Sequence, residues 1–350
     1  MLLAGSGDGL YRLTGVGRAA ETNAQQVLDA GAVARVRTFE GVDGVFAATE
    51  TGLYHSPGGD EWTNLGVPRE NVYAVGASPD GRVYAGTRPA HVYVAQTSGG
   101  EQANDGAASL GELAWRELEA FQELPSRDEW RLPRHENLAQ VRDLNVHPDE
   151  PDRVVAGVEV GGVHVSDDGG ETWTERRGAG GTDGESDVEA GNESGVDDDV
   201  HELAVVGPDE FVAATGFGLF RTTDAGRSWT RLDDGYEQRY FRSVCAVDGD
   251  VYAGSALAHT STWDDEDANP ALFACRDGET LEQVDLPRSD ETVTGLTGID
   301  SGVDEDDQVV AATHRGTVLA EQPDGWVVAG SIPATDGFAG SYTPLLWVEG

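Results

Sequence analysis

The chain has 350 residues, 64 of them acidic and 23 basic, for a formal net charge of −41, and every basic residue is arginine. That balance excludes the Lys/Arg clusters that displace counterions from nucleic acid, and the opening MLLAGSGDGLYRL has neither the basic flank of a signal peptide nor the apolar length of a membrane span. In molar salt the Debye length falls to roughly 3 Å and the self-repulsion is screened, so the expected setting is the cytoplasm of a halophilic archaeon.

Along the chain a short apolar run ending in small residues recurs: LLAGS, VFAAT, VYAGT, VVAGV, FVAAT, VYAGS and VVAAT. The same position of the run is occupied by Gly5, Ala48, Gly86, Gly157, Ala214, Gly254 and Ala312. A second apolar strand follows, as in GLYRL (9–13) and GLFRT (218–222), and another precedes the last six runs, as in VRDLNVH (141–147). Turns such as SPDG and VDGD separate them. A fourth strand is expected with Trp62, Trp115, Trp173 and Trp229. Seven such repeats predict an all-β protein, a seven-bladed β-propeller of four-stranded blades spanning 1–350 as one domain.

The first repeat lacks its innermost strand, while TPLLWV (343–348) is unclaimed at the other end. Pairing this last strand into the N-terminal blade closes the ring and removes two free edges. Cys245 and Cys275 then fall on the first and third strands of one blade, two spacings of about 4.8 Å apart and beyond disulfide reach.

Four insertions interrupt the repeat. Those at 122–138, 178–199 and 256–270 fall on the face formed by the connections between blades and between second and third strands. The fourth, 97–112, falls on the opposite face and reads as a disordered loop. The 178–199 stretch holds eight acids and no base, which suits a solvated loop. The insert-bearing face also collects Arg88, His91, Tyr236, Glu237, Arg239, Tyr240, His259, His314 and Arg315 as candidates for a ligand or partner. His91, His259 and His314 come from three different blades without a spaced partner in their own loops, so no metal and no cofactor is expected.

Two turns share the pattern Ser/Thr-x-Asp-x-Gly-x-Ser/Thr-Trp: Ser166, Asp168, Gly170, Thr172 and Trp173, then Thr222, Asp224, Gly226, Ser228 and Trp229. A short carboxylate here accepts backbone N–H groups, and glycine takes the positive φ. These residues resemble the Asp-box (BNR) of sialidase-like propellers, and the chain is also similar to an uncharacterised haloarchaeal propeller family. The resemblance implies a fold with its boxes away from any active centre, and no particular activity.

Two functions compete. A sialidase-type glycoside hydrolase needs converging arginines, for which Arg88, Arg239 and Arg315 are available, and an activated tyrosine, Tyr236 or Tyr240 beside Glu237. The Phe/Tyr-Arg-Ile-Pro signature of that family is missing: FRSV (241–244) lies too late and SIPAT has no arginine. The expectation is therefore a non-catalytic, monomeric platform that binds a protein or small ligand and neither nucleic acid nor membrane. Photosystem assembly factors and sortilin-like receptors serve this way within the resembling class.

Overall fold

Small residues at the end of each repeated run determine how closely the blades converge. In the computed structural model, which describes all residues except 17–21, 98–109, 111–112, 134–135, 177–198, 300–307 and 349–350, the strands pair into seven four-stranded antiparallel sheets. The fold is a seven-bladed β-propeller. The expected loop 97–112 and the acidic stretch 178–199 lie almost wholly outside the described residues.

The innermost strands are Leu345–Trp347, Val33–Phe39, Val72–Ala77, Gln140–His147, Val200–Val205, Tyr240–Val247 and Val293–Ile299, for blades one to seven. The small-residue runs form the second strands, against which the next blade's inner strand presses. A Cβ on Gly86 would stand 2.6 Å from Val141 Cγ1, and one on Gly254 would stand 2.4 Å from the Val293 carbonyl. The larger residues of the same strands fill the spaces between blades. Phe211, Val155, Val163 and Leu203 join blades four and five, and Leu2, Leu13, Val310 and Val318 join blades one and seven. Each such burial contributes about 1.5–3 kcal/mol.

Closure follows the expected path. Leu345–Trp347 pairs with Leu2–Gly5, placing Leu2 opposite Trp347 and Ala4 opposite Leu345, and Gly5 N donates to Pro344 O at 2.8 Å. The outer strands at Thr63, Arg116, Thr174 and Thr230 begin one residue after the tryptophans. These rings sit in the preceding turn, where the Trp173 indole N–H reaches Gly170 O at 3.0 Å. Cys245 and Cys275 are free thiols with the Asp250–Ala256 strand between them.

One irregularity repeats around the ring. In six blades the inner strand slips register against the second strand near its start, leaving Ala34, Tyr73, Arg142, His201, Arg242 and Thr294 as the extra residues. A β-bulge turns its extra residue off the ladder and re-aims the side chain. Six inner strands thus present one re-aimed residue each at the same end of the channel.

Candidate functional site

Four of the bulged residues, Ala34, Tyr73, Arg142 and Arg242, line a cavity of about 470 Å³ at the mouth of the axial channel, together with Gln140, Glu159, Tyr240 and Tyr342. Tyr342 arrives by a different route. After the outermost strand of blade seven, Val327–Ser331, the chain crosses the face toward the centre. It is held there by bonds from Ala339 N to His314 O (2.8 Å) and from Gly7 N to Ala339 O (2.7 Å).

The insertion 256–270 forms part of the wall. Its short 3-10 turn, Thr260–Thr262, is followed by the buried Trp263. That ring packs against His314 (5.4 Å) and Tyr240 (6.3 Å) and donates to Ala258 O at 3.1 Å.

Arginine and tyrosine dominate the electrostatics of the mouth. The guanidinium carbons of Arg242, Arg142 and Arg35 lie 3.6, 4.3 and 5.5 Å from the centre of the Tyr342 ring. Arg142 donates through Nε to Glu159 Oε2, which also accepts from Gln140. Burial pushes the Glu159 carboxyl up, but Arg142, His201 and Arg242 outweigh it and hold the group well below the usual carboxylate range. Arg242 bonds Ser341 O at 2.8 Å and the Tyr240 hydroxyl at 3.3 Å. Among the described residues it has no carboxylate partner. The Tyr342 hydroxyl is buried without a hydrogen-bond partner among the described residues, and burial drives its pKa up against the pull of Arg142 and Arg242.

Beneath the mouth, Arg35 crosses the channel. Its Nη2 bonds His201 O at 3.0 Å and lies 3.5 Å from Glu202 and 3.7 Å from Asp143, while Arg37 pairs with Asp143 at 2.8 Å. Arg35 also lines a second cavity of about 250 Å³ farther along the channel. Among the described residues, one cluster can hold a metal: Glu159, Asp199 and His201.

Of the residues singled out from sequence, Tyr240 lines the upper cavity. Arg88 stacks on Tyr73 at 5.4 Å from its centre, and His91 Nδ1 meets Glu117 at 2.6 Å. Arg239 pairs with Asp233 at 2.5 Å and Arg315 with Asp264 at 2.6 Å, so Arg88, Arg239 and Arg315 do not share a pocket. Tyr236 bonds Leu281 O at 2.6 Å and packs on Phe273, and Glu237 is exposed. His259 contacts Ser261 at 2.9 Å, whereas His314 is buried and accepts from Thr292 N at 3.1 Å. The three histidines form no common cluster.

The two patterned turns carry identical bonds. Asp168 accepts from Thr172 N at 2.8 Å and from its hydroxyl at 2.7 Å, and Asp224 does the same with Ser228. Gly170 and Gly226 stand at φ 96° and 80° and donate to Ser166 and Thr222.

No family model matches the sequence, and no curated protein matches it. Among solved structures, the GH74 xyloglucanase from Xanthomonas campestris is 16% identical with a TM-score of 0.55, the match covering 91% of this chain and 46% of that one. An ancestral GH74 enzyme is 15% identical with a TM-score of 0.54, over 85% of this chain and 38% of that one. This chain thus spans less than half the length of either. YCF48 bound to D1 peptide is 12% identical with a TM-score of 0.52, over 91% and 85% of the two chains. At these identities the likeness is one of fold. Among the described residues no helix is long and apolar enough to cross a membrane.

Proposed function

We propose that this chain is a non-catalytic binding propeller that receives a carboxylate or similar anionic group of its ligand in the cavity at the channel mouth. The observation that carries the reading is Arg242. It is 3% exposed, has no carboxylate partner among the described residues, and lies on Tyr342 beside Arg142. Burying a guanidinium costs several kcal/mol, and a charge-assisted bond to an incoming anion offsets that cost. In a chain of net charge −41, a buried cation with no carboxylate in ion-pair contact among the described residues, and only the nearby charge of Glu159 to balance it, is a feature that a ligand would use. The cavity volume falls in the range of small-ligand sites.

The same proposal places the protein among Asp-box propellers, acting as one monomeric domain in a salt-rich cytosol. The two patterned turns, the closed ring and the lysine-free acidic composition support it. A protein partner offering a C-terminal carboxylate fits the chemistry, and YCF48 is a propeller bound to a peptide.

Glycoside hydrolysis is the second reading, favoured by the convergence of Arg35, Arg142 and Arg242 on one tyrosine. Tyr342 argues against it, because burial raises its hydroxyl pKa where a nucleophile needs it lowered. The cavity's other carboxylate, Glu50, lies on its exposed rim, where it accepts from Ala32 N at 3.5 Å, and Glu159 is held ionised where a general acid must keep its proton.

The test is calorimetric titration in a molar potassium salt with a panel of small carboxylates and phosphomonoesters, comparing wild type with Arg242→Gln. At least one anion should bind the wild type and be lost in the variant. Failure of every anion at millimolar concentration, or equal binding by both proteins, would remove the reading.

A further inference from the structure

We propose that Glu159, Asp199 and His201 form a site for one divalent transition-metal ion in the wall of the axial channel. The fold brings them together from two blades. Glu159 ends the second strand of blade four and forms an isolated bridge with Asp199. His201 is the bulged residue of the inner strand of blade five. Their ligand atoms all lie within 4.8 Å of one another, and the residues are 2%, 6% and 0% exposed.

The hydrogen bonds fix the imidazole. His201 Nδ1 lies 2.7 Å from the Phe241 carbonyl oxygen, which only accepts, so the proton is on Nδ1. In the neutral ring Nε2 then carries a bare lone pair. Among the described residues that atom has no hydrogen-bond partner, and neither has Asp199 Oδ1. Nε2 stands 3.5 Å from Asp199 Oδ2. Glu159 has Arg142 on one oxygen, but the lone pair and the Asp199 carboxylate face each other away from water and repel unless a cation sits between them. The 3.5 Å separation is close to the ligand-to-ligand edge of a tetrahedral site with bonds of about 2.1 Å. The bond from Nδ1 to a carbonyl is the orienting contact that metal-bound imidazoles make. One imidazole with two carboxylates suits manganese, iron or zinc better than magnesium or calcium. Glu159 also lines the upper cavity, which gives the ion a way in.

The protein, stripped with chelator in molar KCl, is loaded with Mn²⁺ or Zn²⁺ and desalted, and bound metal is counted by elemental analysis and Mn²⁺ electron paramagnetic resonance. One retained ion per chain is expected, with affinity lowered at least tenfold by Asp199→Asn and by His201→Gln. Circular dichroism checks that both variants fold, and Asp199→Asn alone decides the matter if the histidine variant does not. Arg242→Gln, which disables the anion pocket, should not weaken metal uptake, so the two ideas fail separately. No retained metal, or equal retention by Asp199→Asn, overturns the site. So does ¹⁵N NMR showing both His201 ring nitrogens protonated and unmoved by metal, since an imidazolium would then bridge the carboxylates.

Discussion

The Arg242 guanidinium carbon lies 3.6 Å from the centre of the Tyr342 ring, and the two residues come from separate features of the ring. Arg242 is the bulged residue of blade six, while Tyr342 is carried in by the segment that closes the propeller. The candidate pocket is therefore complete only when the ring is closed.

Gly295 offers a way to disturb that closure without touching the pocket. A Cβ there would stand 1.8 Å from the Thr343 carbonyl oxygen, with its hydroxyl 3.1 Å away. Gly295→Ala must therefore displace the closing segment, and overpacking of this kind costs about 1–3 kcal/mol. Thermal unfolding should show the loss, and anion titration should show weaker binding as Tyr342 moves. A variant as stable as wild type, with unchanged binding, would show that closure and pocket are independent.

Tyr342 itself separates ring from hydroxyl. Its Oη is buried without a partner among the described residues, a situation that costs about 1–3 kcal/mol. Tyr342→Phe keeps the surface on which Arg142 and Arg242 lie and removes the orphaned group. It should raise stability by about 1 kcal/mol and leave anion binding intact, whereas Tyr342→Ala should weaken binding. A destabilised phenylalanine variant would mean that the hydroxyl has a partner, and the non-catalytic reading would need revision.

The ring was legible because it is periodic. Seven small-residue runs mark the places where blades press together, and Gly86 and Gly254 are small for that steric reason. The pocket was harder to read because a bulge is a property of two strands, visible only once their register is known. Loop residues such as Arg239 and Arg315 looked available, yet each already has a carboxylate. The usable signal lay in the inner strands, where VRDL, VHEL and FRSV each set a charged or ionisable residue after the first apolar one. FRSV read as a misplaced sialidase signature, and its arginine, Arg242, is one of the two that line the pocket.

The patterned turns predict a pH effect. Burial slightly opposes ionisation of Asp224, but bonds from Ser228 and Thr222 hold its carboxyl down at about 2. A carboxyl depressed on folding contributes stability that is complete above its unfolded pKa of about 4 and is lost as pH falls toward 2. Asp224→Asn should therefore be destabilised at neutral pH, with the gap to wild type closing as pH drops through that window. Paired denaturation curves measure the gap, so the acid response of the other carboxylates cancels. A gap independent of pH would show that the charge of Asp224 contributes nothing to the turn.

Arg35 gives the opposite sign. It lies between Glu202 (3.5 Å) and Asp143 (3.7 Å), with Arg37 compensating Asp143 from the other side. Burial already raises the Glu202 carboxyl despite the opposing pull of Arg35. Arg35→Met preserves bulk but removes the cation in contact with Glu202, leaving only the weaker pull of Arg37, and breaking such a pair costs about 3–5 kcal/mol. The folded variant then holds a proton on Glu202 more tightly than the unfolded chain does, so its stability rises as pH falls from neutral and is lost again as pH climbs through the raised pKa. The deficit against wild type should be largest near pH 7 and smaller near pH 5. Denaturant midpoints at the two pH values decide it. An equal deficit at both would assign the role of Arg35 to its bonds with Ala34 O and His201 O and not to its charge.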